Sequence, residues 1–287
     1  MITDIFDDLR SSLLSNLFTD FKFIVKDKIY SCHKVMLYIR CEEYYNENNI
    51  DTINEIKIED SYSCEKFGII IEFIYTDKVN INKETAVELL SIAKHFKLER
   101  LVSICENKIN SLDNYKASTI LIDLEKLINN EKLSDITFIV EGNEIKIHKY
   151  IMAARCEYYR ALWNKNWAES SENVLIIDNF SYDSFLLFIR YIYTNNIRDY
   201  INGDVVVDLL SIATQFNMNG LKSICEQYII TGIDSTNALS LYQIADLYSA
   251  RRLKLRSLNY IKSDIKNIMK SDEWSLLSKQ QQIDLTK

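Results

Sequence analysis

The chain has 287 residues, 47% hydrophobic and 26% charged, with a formal net charge of −7. That length suggests about two domains of ordinary folded composition, and the acidic balance argues against a nucleic-acid binder, which needs a basic face. No stretch of about 18 apolar residues is available to span a membrane. The acidic start Met1–Asp8 lacks the basic region of a signal peptide, so a cytoplasmic rather than a secreted protein is expected.

In chain order, Ile2, Ile5, Phe6, Leu9 and Leu13 recur at helical spacing, with Thr3 or Asp4 as the N-cap. Phe21, Phe23 and Val25 alternate as a strand, Lys26-Asp27-Lys28-Ile29 reads as a hairpin turn, and Tyr30 and Cys32 share one face of a returning strand. A short strand over Ile56–Glu59 precedes a turn at Asp60. A helix over Phe67–Tyr75 then ends at Thr76-Asp77, where Asp tolerates a left-handed cap. Helices near 84–95 and 99–109 follow.

The same series then begins again. Asp20-Phe21-Lys22-Phe23-Ile24-Val25 … His33-Lys34 … Arg40-Cys41-Glu42 … Tyr44 returns as Asp135-Ile136-Thr137-Phe138-Ile139-Val140 … His148-Lys149 … Arg155-Cys156-Glu157 … Tyr159, a constant offset of 115 residues. A repeat this long suits a whole domain rather than a solenoid unit. In the second copy Ile120, Leu124, Leu127 and Ile128 form the opening helix after Ser118 or Thr119, and the turn is Glu141-Gly142-Asn143-Glu144. A helix is expected from Lys149 to about Leu162, then a strand over Val174–Ile177 and a turn at Asp178. The helix Phe185–Tyr193 ends at Thr194-Asn195, and two more helices cover 204–215 and 219–230. The second copy gains three residues between Tyr159 and Val174 and two between Asn195 and Val206. A further helical segment runs from about Ser235 to Thr286.

Six cysteines without a CxxC pair make no metal site and read as small buried hydrophobes in a reducing compartment. The three histidines, His33, His95 and His148, offer little for acid–base work. His33 and His148 are equivalent, and packing and hydrogen bonding at a strand–helix junction is the expected role. No phosphate-cradling loop, HExxH or nucleophile elbow is present, so no catalytic residue, metal or cofactor is expected. Proline is absent where average usage would give about 14 residues. With Ile, Asn, Lys and Tyr abundant, this bias suggests a low-GC genome such as that of a large DNA virus, an amoeba or a protist parasite.

Ser134-Asp135-Ile136-Thr137-Phe138-Ile139-Val140, Ile147-His148-Lys149, Ala153-Ala154-Arg155-Cys156-Glu157-Tyr158-Tyr159-Arg160-Ala161-Leu162 and Phe188-Ile189-Arg190-Tyr191-Ile192-Tyr193-Thr194 together resemble the BTB/POZ domain. The first copy is more diverged, with Tyr38-Ile39 in place of the Ala-Ala pair. The resemblance implies an α+β fold, small sheets covered by helices, with one copy over 1–114, a second over 115–233 and a BACK-like helical extension over 234–287. It also implies dimerisation and partner binding rather than catalysis. Asp20, Lys34, Asp135 and Lys149 match positions that form a charged pocket near the symmetric interface of many BTB dimers; the plainer reading is a capping Asp and a solvated Lys. Two tethered copies could pair within one chain, or the chain could self-associate.

BTB adaptors of cullin-3-type ubiquitin ligases carry a hydrophobic-x-Glu motif, and Trp167-Ala168-Glu169 resembles it. Trp167 and Glu169 are therefore the candidate scaffold contacts, an aromatic anchor beside a carboxylate, whereas Trp163, four residues earlier, is expected to pack on the core. The first copy has Asn46-Glu47-Asn48-Asn49-Ile50-Asp51-Thr52 there and no such motif. The expected function is an adaptor docking a cullin-3-type scaffold through the second copy, in the cytoplasm or nucleus, of a host if the source is viral. The alternatives are an oligomerisation scaffold without a ligase link, or a competitor that occupies the cullin without delivering substrate.

Overall fold

The structure, a computed structural model, describes residues 4–58, 62–111, 118–164, 173–277 and 279–286. Helix α1 (Ile5–Leu14) starts where the Asp4 carboxylate accepts from the Phe6 N–H at 3.2 Å, and it buries Ile5, Leu9 and Ser12 along one stripe. Strands β1 (Phe21–Val25) and β2 (Lys28–Cys32) form an antiparallel hairpin with Phe21 opposite Cys32, and β3 (Glu55–Ile58) adds to β1 in parallel. The sheet order is therefore β2-β1-β3, and β3 begins one residue earlier than the sequence suggests. Phe21, Phe23 and Val25 point into the core, as their alternation predicts.

Between β2 and β3 lie α2 (Lys34–Arg40), α3 (Glu42–Glu47) and a 3-10 turn at Ile50–Thr52. Helix α4 (Cys64–Thr76) ends at Asp77, whose φ of 55° makes the expected left-handed cap. The pair α5 (Lys83–His95) and α6 (Glu99–Ile109) closes the first copy.

The second copy repeats this series as α7 (Ile120–Glu125), β4 (Ile136–Val140), β5 (Asn143–Ile147), α8 (Lys149–Arg155), α9 (Glu157–Asn164), β6 (Val174–Ile177), α10 (Tyr182–Thr194), α11 (Gly203–Gln215) and α12 (Asn219–Thr231). Its sheet order is β5-β4-β6, and α10 ends at Asn195 with φ 57°. The β4–β5 turn has Glu141 and Gly142 both at positive φ, the geometry that matches strand twist in a two-residue hairpin. One expectation fails. The helix anticipated from Lys149 to Leu162 is two helices, because Cys156 is extended (φ −126°, ψ 115°). The break leaves carbonyls at the end of α8, and the Arg160 guanidinium takes up those of Ala153 and Ala154 at 2.8 and 2.7 Å. Tyr159 and Trp163 stay buried beyond the break, so hydrophobic spacing alone carried no sign of it.

Helices α13 (Ala238–Leu247), α14 (Arg251–Ser263), α15 (Ile265–Ile268), α16 (Asp272–Leu276) and α17 (Lys279–Thr286) form the C-terminal segment around a small core that includes Leu239, Ile261 and Trp274. Buried Glu226 on α12 accepts from the backbone N–H groups of Arg252 and Leu253 (3.0 and 3.3 Å), capping α14 and fixing the segment to the second copy. Among the described residues, no helix is long and apolar enough to cross a membrane.

The two copies meet in a pseudo-symmetric junction. Helix α1 packs on α8, and its counterpart α7 packs on α2. Arg40 reaches across to Asp123 at 2.6 Å while also holding Asp77 in its own copy. Arg155, the equivalent residue, pairs with Asp8 of the first copy and donates to Asn195 of its own at 2.8 Å. Both guanidinium groups are almost fully buried, so each depends on these partners. Lys132 adds an ion pair to Asp51 at 3.2 Å and lies 4.7 Å over the Tyr38 ring.

Candidate protein-interaction site

The junction histidines are fully engaged. The His33 backbone N–H donates to the Tyr75 hydroxyl at 2.8 Å, and ring Nε2 lies 2.7 Å from the Leu17 carbonyl. A carbonyl only accepts, so Nε2 carries the proton and Nδ1 accepts from the Tyr75 hydroxyl at 2.6 Å. His148 repeats the arrangement with Tyr193 and the Lys132 carbonyl. Burial lowers both imidazoles to about 4, which leaves them neutral structural groups. Burial pushes the thiols the other way, Cys41 and Cys225 up to about 12 and Cys105 to about 11, so they are not nucleophiles. Among the described residues, no group of His, Cys, Asp or Glu could hold a metal ion.

Asp20 accepts from the Lys34 backbone N–H at 2.8 Å, and Asp135 from that of Lys149 at 2.7 Å. Each Asp thus caps the helix that its Lys begins. The Lys34 ammonium goes to the Asp51 carbonyl (3.2 Å) and the Asn54 side chain (3.1 Å), and that of Lys149 to the Asn173 side chain (3.1 Å). Burial raises both carboxyls, and the charge of Asp20 adds to the rise at Asp135, so the two feel one another across the junction.

A different surface separates the copies. Between α9, β6 and the end of α11 lies an open cavity of about 360 Å³, walled by Tyr158, Leu162, Ile176, Phe180 and Phe216 with Asp178, Asn179 and Gln215 among them. Tyr158 and Val174 are half exposed and Ile176 is 67% exposed. The repeat offset of 115 carried along α3 and α9 aligns Tyr158 and Leu162 with Glu43 and Glu47, and strand register aligns Val174 and Ile176 with Glu55 and Lys57, so four residues rather than the expected three are gained before Val174. There Lys97 neutralises Glu43 and Glu47 at 3.2 and 3.4 Å; its counterpart in the second copy is Asn217. These four positions are therefore charged in the first copy, where Lys97 pairs with two of them, and apolar in the second. Trp163 is buried against Tyr159, with ring centroids 5.2 Å apart, as its spacing predicts. Trp167 and Glu169 lie outside the described residues.

The model of the BTB/POZ domain matches residues 9–112 and again 124–233. The chain belongs to the BTB/POZ family. Residues 238–287 match BACK, the BTB And C-terminal Kelch domain, so the C-terminal helices complete a tandem BTB–BACK arrangement. The chain is 32% identical over 152 residues to TD and POZ domain-containing protein 2 of Mus musculus, covering 53% of this chain and 42% of that protein. It is 27% identical over 179 residues to Kelch-like protein 8 of Caenorhabditis elegans, covering 62% and 26%. It is 26% identical over 247 residues to Inhibitor of Bruton tyrosine kinase of Homo sapiens, covering 82% and 17%. The chain spans less than half the length of each of these relatives.

BTB and BACK domains are protein-interaction modules, and this chain carries them in tandem. The four-position asymmetry between the BTB copies escaped the sequence reading. Its signal was present: aligned solvent positions that change from charged to apolar between two copies of one fold mark a surface under different demands.

Proposed function

We propose that the protein is an adaptor whose second BTB copy docks a cullin-3-type ubiquitin ligase scaffold. The observation that carries this reading is the apolar face of Tyr158, Leu162, Val174 and Ile176 around an open cavity, where the first copy is charged. An aromatic and aliphatic cluster at a concave site is what a binding hot spot requires. The Kelch-like relative and the BACK segment support an adaptor role, and Trp167 and Glu169 follow directly after α9 in sequence. Paired BTB copies in one chain would present one such face per molecule. The protein would work in the cytoplasm or nucleus.

Pull-down of purified cullin-3 tests the reading. Wild type binds; Tyr158→Glu/Ile176→Lys, which installs the residues of the first copy, weakens binding at least tenfold, as does Trp167→Ala/Glu169→Ala. Failure of the wild type to bind overturns the adaptor reading in favour of a scaffold without a ligase link. Binding by wild type that both double variants retain overturns the site.

A further inference from the structure

The outer edge of β2 is open. Lys22 donates its backbone N–H to the Asn54 carbonyl on the β3 side, and the Cys32 carbonyl accepts from Asp20 on the β1 side. Backbone direction alternates along a strand, so Lys28, Tyr30 and Cys32 face β1 while Ile29 and Ser31 turn their N–H and C=O groups outward. Neither outward pair has a partner among the described residues.

The second copy shows what this edge accepts. There Asn129 donates its backbone N–H to the Lys146 carbonyl, and its side-chain oxygen accepts from the Lys146 N–H, both at 3.0 Å. Lys146 is the counterpart of Ser31, and an amide unit is docked on it as an added strand would be. The counterpart of Asn129 in the first copy is Leu14, because α1 continues through the point where α7 has ended. The plug is therefore missing, and apolar side chains stand beside the open edge. Leu14 is 71% and Ile29 59% exposed. They border a groove of about 270 Å³ between α1, β2 and α4, floored by Leu13, Tyr30 and Ile71 and rimmed by the Arg10–Glu72 ion pair. At Gly68 in this groove, a Cβ would come within 3.5 Å of the Tyr30 ring.

We infer that the first BTB copy binds an extended segment of a partner protein by strand addition to the outer edge of β2. Backbone N–H and C=O groups of that segment pair with Ile29 and Ser31, and its alternate apolar side chains enter the groove beside Leu13 and Ile71. The occupant is an extended strand rather than a helix, because the edge offers backbone donors and acceptors that a helix, having satisfied its own, cannot use. The inference concerns a face of the first copy and does not depend on scaffold docking by the second.

Short synthetic peptides of about eight residues, alternating Thr with Val, Ile, Leu or Phe, serve as probes with the full chain. Amide exchange at Ile29 and Ser31, followed by NMR, should slow by about tenfold or more on saturable binding of at least one peptide. N-methylation of its alternate amides should abolish the effect on an unaltered protein. Ser31→Pro, which removes one outward donor at a position where an edge strand tolerates proline, should weaken binding while cullin-3 pull-down is unchanged. No slowing with any peptide at millimolar concentration overturns the inference, as does slowing indifferent to N-methylation. Protection that rises with protein concentration alone would instead give the edge to a second copy of this chain.

Discussion

Tyr150 of the second BTB copy lies flat on the imidazole of His33 in the first, with ring centroids 3.5 Å apart and planes 20° from parallel. The repeat places Val35 at the equivalent position, so the stack exists on one side of the junction only. Tyr150→Val should therefore lower stability by about 2–4 kcal/mol, the range for removing most of a buried aromatic ring. Urea unfolding measures it; a change within error would mean that the ring packs without contributing.

The histidines set an acid limit. A folded-state value of about 4 against the ordinary 6.5 means that the unfolded chain binds more protons between those values. The contribution of each neutral imidazole is complete above pH 6.5 and is lost as pH falls toward 4, at up to about 1.4 kcal/mol per pH unit for each. Asp20 and Asp135, raised by burial, act in the opposite direction and soften the loss at its acid end. Urea midpoints should fall steadily from pH 7 to 4.5, and His33→Asn/His148→Asn should flatten that profile even if its midpoint at pH 7 is lower.

The crossed ion pairs should behave as buried charges. Arg155→Ala or Arg40→Ala should each cost about 3–5 kcal/mol, because a buried guanidinium and its charged contacts across the junction are lost. Arg155→Met/Asp8→Leu should recover much of the loss, since a buried pair is often no better than apolar residues of like size. A double-mutant cycle on the full chain reads the coupling, and additive losses would refute it.

Pairing within the chain predicts its mass in solution. Tethered copies meet at an effective concentration far above that of separate chains, and the α1–α8 and α7–α2 contacts already occupy the surface through which such copies pair. Light scattering should give the monomer mass of 33.7 kDa across a wide concentration range. A dimer mass independent of dilution would refute closure within one chain.

Much of the fold was legible because it is local. Period-two alternation located β1 and β4, and Thr-Asp and Thr-Asn placed the left-handed caps at Asp77 and Asn195. The pairing of Arg40 with Asp123 and Arg155 with Asp8 was not legible, although both arginines stood in the repeat, because sequence says nothing of which helix faces them across the junction. The break at Cys156 hid behind unbroken hydrophobic spacing, since Tyr159 and Trp163 are buried on both accounts. The apolar face of the second copy needed the strand register before Val174 and Ile176 could be set beside Glu55 and Lys57.

The crossed arginines also make the duplication hard to undo. Removing the first copy takes Asp8 from Arg155, and removing the second takes Asp123 from Arg40, each time baring a helix face that had been covered. Each half alone would keep a buried arginine whose carboxylate across the junction is gone. Such a joint constrains the faces that meet and leaves outer positions of the two copies room to differ, as Glu43 and Tyr158 do.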